Sequence, residues 1–85
     1  MTDWPKYESH KIVQAAKIVN QERDAAGEVV SVEVVLPDGS KEWFSATVPA
    51  MTAKAQIGDW AMRYPDGFKS ISPAKQFEEG YTPCA

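Results

Sequence analysis

The sequence has few of the residues that form metal sites or covalent cross-links. Among its 85 residues there is one cysteine, Cys84, and one histidine, His10. A single cysteine cannot form an internal disulfide, so nothing in the sequence points to a small secreted fold held by disulfides. Because no histidines, cysteines or carboxylates show metal-ligand spacing, we predict no bound metal ion and no cofactor.

Long apolar runs and an excess of positive charge are also missing. The unbroken apolar stretches are only a few residues long, far below the roughly 20 residues that span a bilayer. The first residues lack the basic and then apolar order of a signal peptide, so we expect a cytoplasmic protein with no membrane partner. The 9 Lys and Arg are outnumbered by 12 Asp and Glu, which argues against a nucleic-acid partner because nucleic-acid-binding domains are usually basic.

The composition is that of one small globular domain over residues 1–85. Apolar residues make up 44% of the chain and charged residues 25%, close to the averages for globular proteins. A domain of this size buries only about 60–65% of the surface that its unfolded chain exposes. We therefore expect a thin core, and a homo-oligomer is the arrangement that would extend it.

The hydrophobic pattern predicts a mainly β (α+β) domain. We expect a four- to five-stranded antiparallel sheet, or a small SH3-like partly open barrel, with a short C-terminal helix. The predicted segments are an extended N-terminal arm over 1–11, a β-sheet over 12–72 and a short helix over 73–79. Residues 12–22 fit helical spacing as well as a strand, and their β-branched residues favour the strand.

Local signals also mark two helices. Residues 49–57 suit one or two helical turns, with Pro49 at the first position, where proline is permitted. Ser72 and Pro73 are typical of a helix start, because serine caps the first turn and proline suits its first position. Gly80 is typical of the residue just after a helix end, where the left-handed conformation is common.

Two Pro-Asp-Gly turns predict two β-hairpins. In the first, a valine-rich run reads as a strand, and a three-residue loop with a bulge at Gly39 closes the hairpin. This register sets Val34 against Glu42, whereas a two-residue loop would shift the second strand by one residue and turn over all its side chains. We prefer the bulged register because one face is then nearly all apolar. That face consists of Val30, Val32, Val34, Phe44, Ala46 and Val48.

The same register leaves Trp43 on the opposite face of the sheet. The other residues on that face are smaller or polar: Ser31, Glu33, Val35, Ser45 and Thr47. A tryptophan in this position needs a cover, since its large apolar surface is otherwise left in water. The candidates for the cover are the N-terminal arm, another subunit and a ligand.

In the second hairpin the bulged register separates aromatic residues from cations. One face holds Trp60, Met62, Tyr64 and Phe68. The other holds Ala61, Arg63, Lys69 and Ile71. Aromatic faces beside cations suit a stacked base or an anionic nucleotide, and the alternative is that the aromatic residues build the thin core while the cations are solvated. The predicted ligand-binding residues are Trp43, Trp60, Tyr64, Arg63, Lys69, His10 and Lys11.

No residues form a recognisable catalytic arrangement. His10 is the obvious candidate base, but Ser9 beside it gives no useful geometry in a strand. Cys84 has no neighbouring feature in the sequence that would activate its thiol. Asp38 and Asp66 are turn residues with a structural role. We therefore predict no catalytic residues and a protein that is not an enzyme.

Two blocks of residues bracket the chain. The first is Tyr7-Glu-Ser-His-Lys11, with Ala15-Ala-Lys-Ile18 after it. The second comprises Gly58-Asp59-Trp60, Tyr64-Pro-Asp-Gly-Phe68, Ser70-Ile-Ser-Pro73, Phe77 and Gly80-Tyr81. Together they resemble an uncharacterised family of small accessory proteins encoded by tailed phages and prophages. The resemblance implies a phage product in the host cytoplasm and a strand over 12–22, and it transfers no catalytic residue.

These observations favour a binding protein, for which we hold three hypotheses. The first is a phage counter-defence protein that sequesters a small nucleotide immune signal, as a homo-oligomer because a monomer of this size can hardly supply a pocket. The second is an inhibitor that binds a host defence protein, such as a CRISPR or restriction component, through an exposed strand edge or apolar patch. The third is a structural or regulatory interaction module of the phage.

Overall fold

A computed structural model describes residues 3–84 and confirms the mainly β prediction: seven strands form one open antiparallel sheet, accompanied by two short helices. The strands are β1 (Lys6–Glu8), β2 (Ile12–Arg23), β3 (Val29–Val35), β4 (Lys41–Phe44), β5 (Trp60–Arg63), β6 (Lys69–Ser72) and β7 (Thr82–Pro83). The helices are α1 (Pro49–Ala53) and α2 (Ala74–Gly80). In the part of the chain so described, neither helix has the length and apolarity needed to cross a membrane.

The sheet is assembled on β2, which confirms the strand interpretation of residues 12–22. Gln14 and Lys17 each pair on both sides of β2. It follows that β5 lies along one edge of β2, while β1 and β3 follow one another along the other edge. The strand buries residues on both faces, Val13 and Ala15 on one and Ala16 on the other. Because both faces are apolar, the apolar residues of β2 also fit the spacing of a helix.

Each face of the sheet carries its own hydrophobic cluster. The first, which we call the aliphatic cluster, is built mainly from small and branched side chains and lies under α1. Its buried members are Trp4, Ala16, Ile18, Val29, Val32, Val34, Leu36, Phe44, Ala46, Ala55 and Ala61. The second, the aromatic cluster, lies under α2. It comprises Val13, Ala15, Met62 and Phe77, with Tyr7, Trp60, Tyr64 and Tyr81 packed against them.

Both hairpins adopt the register predicted from their turns. In the first, Val34 pairs with Glu42 and Gly39 has a φ of 86°. In the second, Arg63 pairs with Lys69 and Gly67 has a φ of 92°. Glycine is needed at these two positions because a side chain would be strained at a positive φ. The chain after β4 then returns to β6, where the Thr47 N–H donates to the Lys69 carbonyl at 2.8 Å.

The apolar face predicted for the first hairpin is correct at its centre and wrong at its two ends. Val30 and Val48 are 44% and 40% exposed. The pairing of β2 with β3 shifts register between Glu22 and Arg23, and Val29, not Val30, is the residue buried there. Val48 lies outside β4 and is the N-cap residue of α1, where the chain turns away from the sheet.

The predicted N-terminal arm is extended, but part of it belongs to the sheet. Residues 6–8 form β1, which pairs with β2 and β7, and residues 1 and 2 of the arm lie outside the described residues. Trp4 is only 5% exposed and joins the aliphatic cluster. Its ring lies 5.4 Å from that of Phe44, and its Nε1 donates to Glu42 Oε2 at 2.9 Å.

The helix predicted over 73–79 is present, but both of its ends differ from the prediction. It begins at Ala74, and no side chain of its N-cap residue caps it; Asp59 Oδ1 instead accepts the Ala74 N–H at 3.1 Å. Gly80 is the last helical residue and does not have a positive φ, so its predicted position after the helix end is wrong. The Tyr81 N–H closes the last turn by donating to the Phe77 carbonyl.

Candidate functional site

A cleft of about 370 Å³ lies at the end of the sheet where β2 begins and β5 ends. This volume is within the range of small-molecule sites, about 300–1,000 Å³. The pairing of Gln14 with Arg63 across β2 and β5 places both residues in the cleft wall. The complete lining is Asp3, Lys6, Ile12, Val13, Gln14, Arg63, Tyr64 and Pro65.

Arg63, the last residue of β5, contacts two other polar side chains of this cleft. Its Nη2 donates hydrogen bonds to Asp3 Oδ1 at 3.2 Å and to Gln14 Oε1 at 3.1 Å. Its guanidinium carbon is 4.3 Å from the centroid of the Trp4 ring, a cation–π distance. Its Nε is buried and has no hydrogen-bond partner among residues 3–84. The guanidinium is therefore held in place and still has a donor without an acceptor, which is unusual for a buried polar atom.

Tyr64 follows Arg63 and belongs to the cleft lining, while its ring lies on the other face of the sheet, against the aromatic cluster. Lys11 Nζ lies over the Tyr64 ring, 5.6 Å from its centroid, so a second cation stands at this end of the sheet. Burial raises the pKa of the Tyr64 phenol, and the neighbouring Tyr81 hydroxyl and Asp66 carboxylate raise it further. The Tyr64 hydroxyl is consequently protonated at neutral pH and can donate as well as accept a hydrogen bond.

Asp3 supplies the negative charge in the cleft. The backbone N–H of Trp4 donates to Asp3 Oδ1 at 2.9 Å. This bond is the largest cause that lowers the pKa of Asp3 below its usual 3.8, followed by the Gln14 amide; the charge of Arg63 also contributes. The carboxylate is therefore ionised at neutral pH. Its side chain is 78% exposed, which leaves the Asp3–Arg63 ion pair in contact with solvent.

The structure places two of the seven residues predicted to bind a ligand in the cleft lining. Arg63 and Tyr64 line the cleft, and Lys11 lies over Tyr64. His10 is exposed in the turn that precedes Lys11, and it does not line the cleft. Lys69 is paired with Arg63 but reaches over the Phe44 ring, with Nζ 5.9 Å from its centroid.

The two remaining predicted residues, Trp60 and Trp43, lie away from the cleft. Trp60 belongs to the aromatic cluster, where its ring stacks on Phe77 at 4.6 Å and its Nε1 donates to Glu78 Oε2 at 3.1 Å. Trp43 is in β4 and is 52% exposed. Segment 3–5 does not cover Trp43, because Trp4 packs against the opposite face of the sheet. Within the described part of the arm, residues 3–5 are thus excluded as the predicted cover of Trp43.

Three polar residues of the cleft were missed by the sequence interpretation. Asp3 and Lys6 belong to the segment interpreted as a polar arm, and Gln14 belongs to a segment that also fitted a helix. Lys6 and Gln14 reach the cleft through the pairing of β1 and β5 with β2, and Asp3 reaches it through its contact with Arg63. No local pattern predicts that pairing. The available signal was a polar residue near the start of strand 12–22, Gln14, and one at the end of the first strand of the second hairpin, Arg63.

The chain has no detected relative that would assign a role to these residues. No family model matches it, and searches of curated proteins and of solved structures returned no match. Within residues 3–84, no group of three or more His, Cys, Asp or Glu is placed to hold a metal ion. The functional argument therefore depends on the geometry of the cleft.

Proposed function

We propose that this chain is a non-enzymatic binding protein that holds a small nucleotide in the cleft beside Arg63 and Tyr64. The observation that carries the proposal is the arginine itself: its guanidinium is fixed in the cleft wall by hydrogen bonds and by the Trp4 ring, and its side chain is still 34% exposed. Guanidinium groups bind phosphate oxygens through paired, charge-assisted hydrogen bonds.

The remaining cleft residues support a nucleotide more than a simple inorganic anion. Lys6 adds a second positive charge to the lining, whereas Lys11 lies outside the lining, over the Tyr64 ring. The apolar part of the lining includes Ile12 and Val13. The lining therefore offers cations for a phosphate and the apolar surface of Ile12, Val13 and Pro65 for a base.

The proposal is for sequestration and not for turnover. His10 and Cys84 are the two side chains best suited to proton transfer or nucleophilic attack, and both are exposed and outside the cleft lining. Cys84 bonds to Lys6 through its backbone, at the opposite end of β1 from His10. The resemblance to phage accessory proteins supports a nucleotide immune signal as the ligand and the host cytoplasm as the location.

Isothermal titration calorimetry tests the proposal with ADP, ADP-ribose and a cyclic dinucleotide as probes. We expect binding of at least one probe, weakened about tenfold or more by Arg63→Gln, since a hydrogen bond to a charged group contributes about 1.5–3 kcal/mol. Arg63→Lys keeps the charge but loses the paired hydrogen bonds. Its affinity for the probe should therefore lie between those of the wild type and Arg63→Gln. Lys54→Gln, an exposed charge outside the cleft, should bind as the wild type does.

A mass spectrum would identify the natural ligand. The protein is purified from a phage-challenged host, denatured, and the released small molecules are analysed. A nucleotide released from the wild type but not from Arg63→Gln supports the proposal. The proposal is contradicted if neither Arg63 substitution weakens the binding of any probe or of the natural ligand.

A second candidate function is the binding of a protein through Trp43, because this large side chain is 52% exposed on a part of the sheet that neither helix covers. The partner is a host defence protein or a second copy of this chain, and a phage structural or regulatory module would use the same surface. Sedimentation measures self-association, and co-purification from host lysate measures a host partner. Either association should disappear in Trp43→Ala; persistence in that variant would contradict this candidate.

A further inference from the structure

We infer that the Asp3 carboxylate occupies the position on Arg63 that the ligand's anionic group takes, so that the chain inhibits its own cleft. The inference rests on the proposed function and concerns the regulation of the same site. Asp3 is part of the cleft lining, and its Oδ1 accepts a hydrogen bond from Arg63 Nη2 at 3.2 Å. A carboxylate on a guanidinium makes the same kind of contact as a phosphate oxygen does.

The Asp3 carboxylate can leave Arg63 without unfolding the segment that carries it. Its side chain is 78% exposed, and exposed ion pairs are weak. The next residue, Trp4, is held separately by the Phe44 ring and by its hydrogen bond to Glu42. A rotation of the Asp3 side chain therefore frees one hydrogen-bonding direction of Arg63 while Trp4 remains in the aliphatic cluster.

Arg63 keeps its position when Asp3 leaves. Gln14 Oε1 still accepts from Nη2 at 3.1 Å, and the Trp4 ring still supports the guanidinium. The donor set presented to a ligand is therefore fixed before binding, which reduces the entropy that binding costs. Only the competing carboxylate has to move.

This competition sets a charge requirement for the ligand. A phosphate competes better than a neutral hydrogen-bond acceptor does with the ionised Asp3 carboxylate for Arg63, because it brings more negative charge and more acceptor oxygens. The Lys6 ammonium in the lining favours the same exchange. The site is therefore expected to prefer ADP to adenosine, and Asp3 is the residue that sharpens this preference.

Asp3→Asn tests the inference, because it removes the charge and keeps an oxygen that accepts the Trp4 N–H. By calorimetry at physiological salt, we expect ADP to bind this variant about two- to fivefold more tightly than the wild type, the range that matches an exposed ion pair. Glu79→Gln is the matched control: it removes one exposed negative charge outside the cleft. It should change ADP affinity less than Asp3→Asn does, because salt screens distant charges.

A double variant separates the inference from the proposed function. In an Arg63→Gln background, Asp3→Asn should no longer tighten ADP binding, since the pair it relieves is gone. Equal affinity of wild type and Asp3→Asn, or an equal gain in Glu79→Gln, overturns the inference and leaves the proposed function standing. Absence of ADP, ADP-ribose and cyclic dinucleotide binding in both wild type and Asp3→Asn overturns the proposed function, and the inference with it.

Discussion

Trp43 and Trp60 lie on the same face of the same sheet and have opposite surroundings. Each belongs to a hairpin closed by a Pro-Asp-Gly turn. Trp60 is partly buried, stacked on Phe77 and hydrogen-bonded to Glu78, both of α2, whereas Trp43 is 52% exposed. The turn chemistry decides which face a side chain takes, and the position of α2 decides whether that face is covered. One helix of 7 residues covers only part of the sheet.

The largest expected effect is that of removing the side chain that covers Trp60. Phe77 is 1% exposed and contacts the rings of Trp60, Tyr7 and Tyr81. Phe77→Ala leaves a cavity in the aromatic cluster and should lower the free energy of unfolding by about 3–5 kcal/mol. Urea denaturation measures this loss. Phe68→Ala is the matched control; Phe68 is 36% exposed, so its loss should be about 1 kcal/mol or less. Equal losses of stability in the two variants would show that α2 does not account for the difference between the surroundings of Trp60 and Trp43.

The two turns should be equally sensitive, although the strands they connect are not equally covered. Gly39 and Gly67 have φ values of 86° and 92°, and a Cβ at either position would meet no atom within 4 Å. The cost of Gly39→Ala or Gly67→Ala is then backbone strain alone, about 1–2 kcal/mol for each. Thermal or urea unfolding of the two variants checks this. A cost much larger at Gly67 would mean that the cover supplied by α2 depends on turn geometry.

The surroundings of Trp60 should also depend on pH, through Glu78. Hydrogen bonds from Trp60 and then from Lys17 lower the pKa of Glu78 below its usual 4.5. A carboxyl group whose pKa is depressed in the folded state adds stability above its unfolded pKa, and that stability is lost as the pH falls through the folded pKa. The wild type should therefore lose more stability than Glu78→Gln when the pH is lowered from neutral through 4.5. The control Glu79→Gln should follow the wild type, and if it follows Glu78→Gln the hydrogen bonds are not the cause.

The smallest expected effect on stability is at Trp43. Because its side chain is half exposed, Trp43→Ala should change the free energy of unfolding by about 0.5 kcal/mol or less. Trp60→Ala, measured in the same way, should cost several times more because it removes a stacked and hydrogen-bonded ring. A large loss in Trp43→Ala would indicate that a second copy already covers this residue in solution, and sedimentation of the wild type would then show an oligomer.

The sequence was sufficient for features that depend on neighbouring residues. Alternation and turn chemistry predicted both hairpin registers, and β-branched residues predicted the strand that became β2. They also placed Arg63 and Tyr64 among the candidate binding residues, together with Lys11. The remaining features depend on contacts between distant segments, which local patterns do not encode.

Three distant contacts account for most of what was not predicted. Asp3 and Gln14 reach Arg63 from 60 and 49 residues away in the chain. The start of α2 is fixed by Asp59, which lies 15 residues before Ala74. The position of α2 over Trp60, and with it the exposure of Trp43, follows from contacts of this kind. A pattern read along the chain cannot locate them because each depends on which strands pair.

The three tryptophans provide the most direct test of the cleft as the ligand site. In a ¹H–¹⁵N spectrum each indole N–H gives its own signal, and only Trp4 contacts the cleft arginine, at 4.3 Å from the guanidinium carbon to the ring centroid. On addition of ADP, we predict that the Trp4 signal shifts while those of Trp43 and Trp60 stay in place, and that Arg63→Gln abolishes the shift. A shift of Trp43 with Trp4 unmoved, or no shift of any indole at saturating ADP, would contradict the cleft as the binding site.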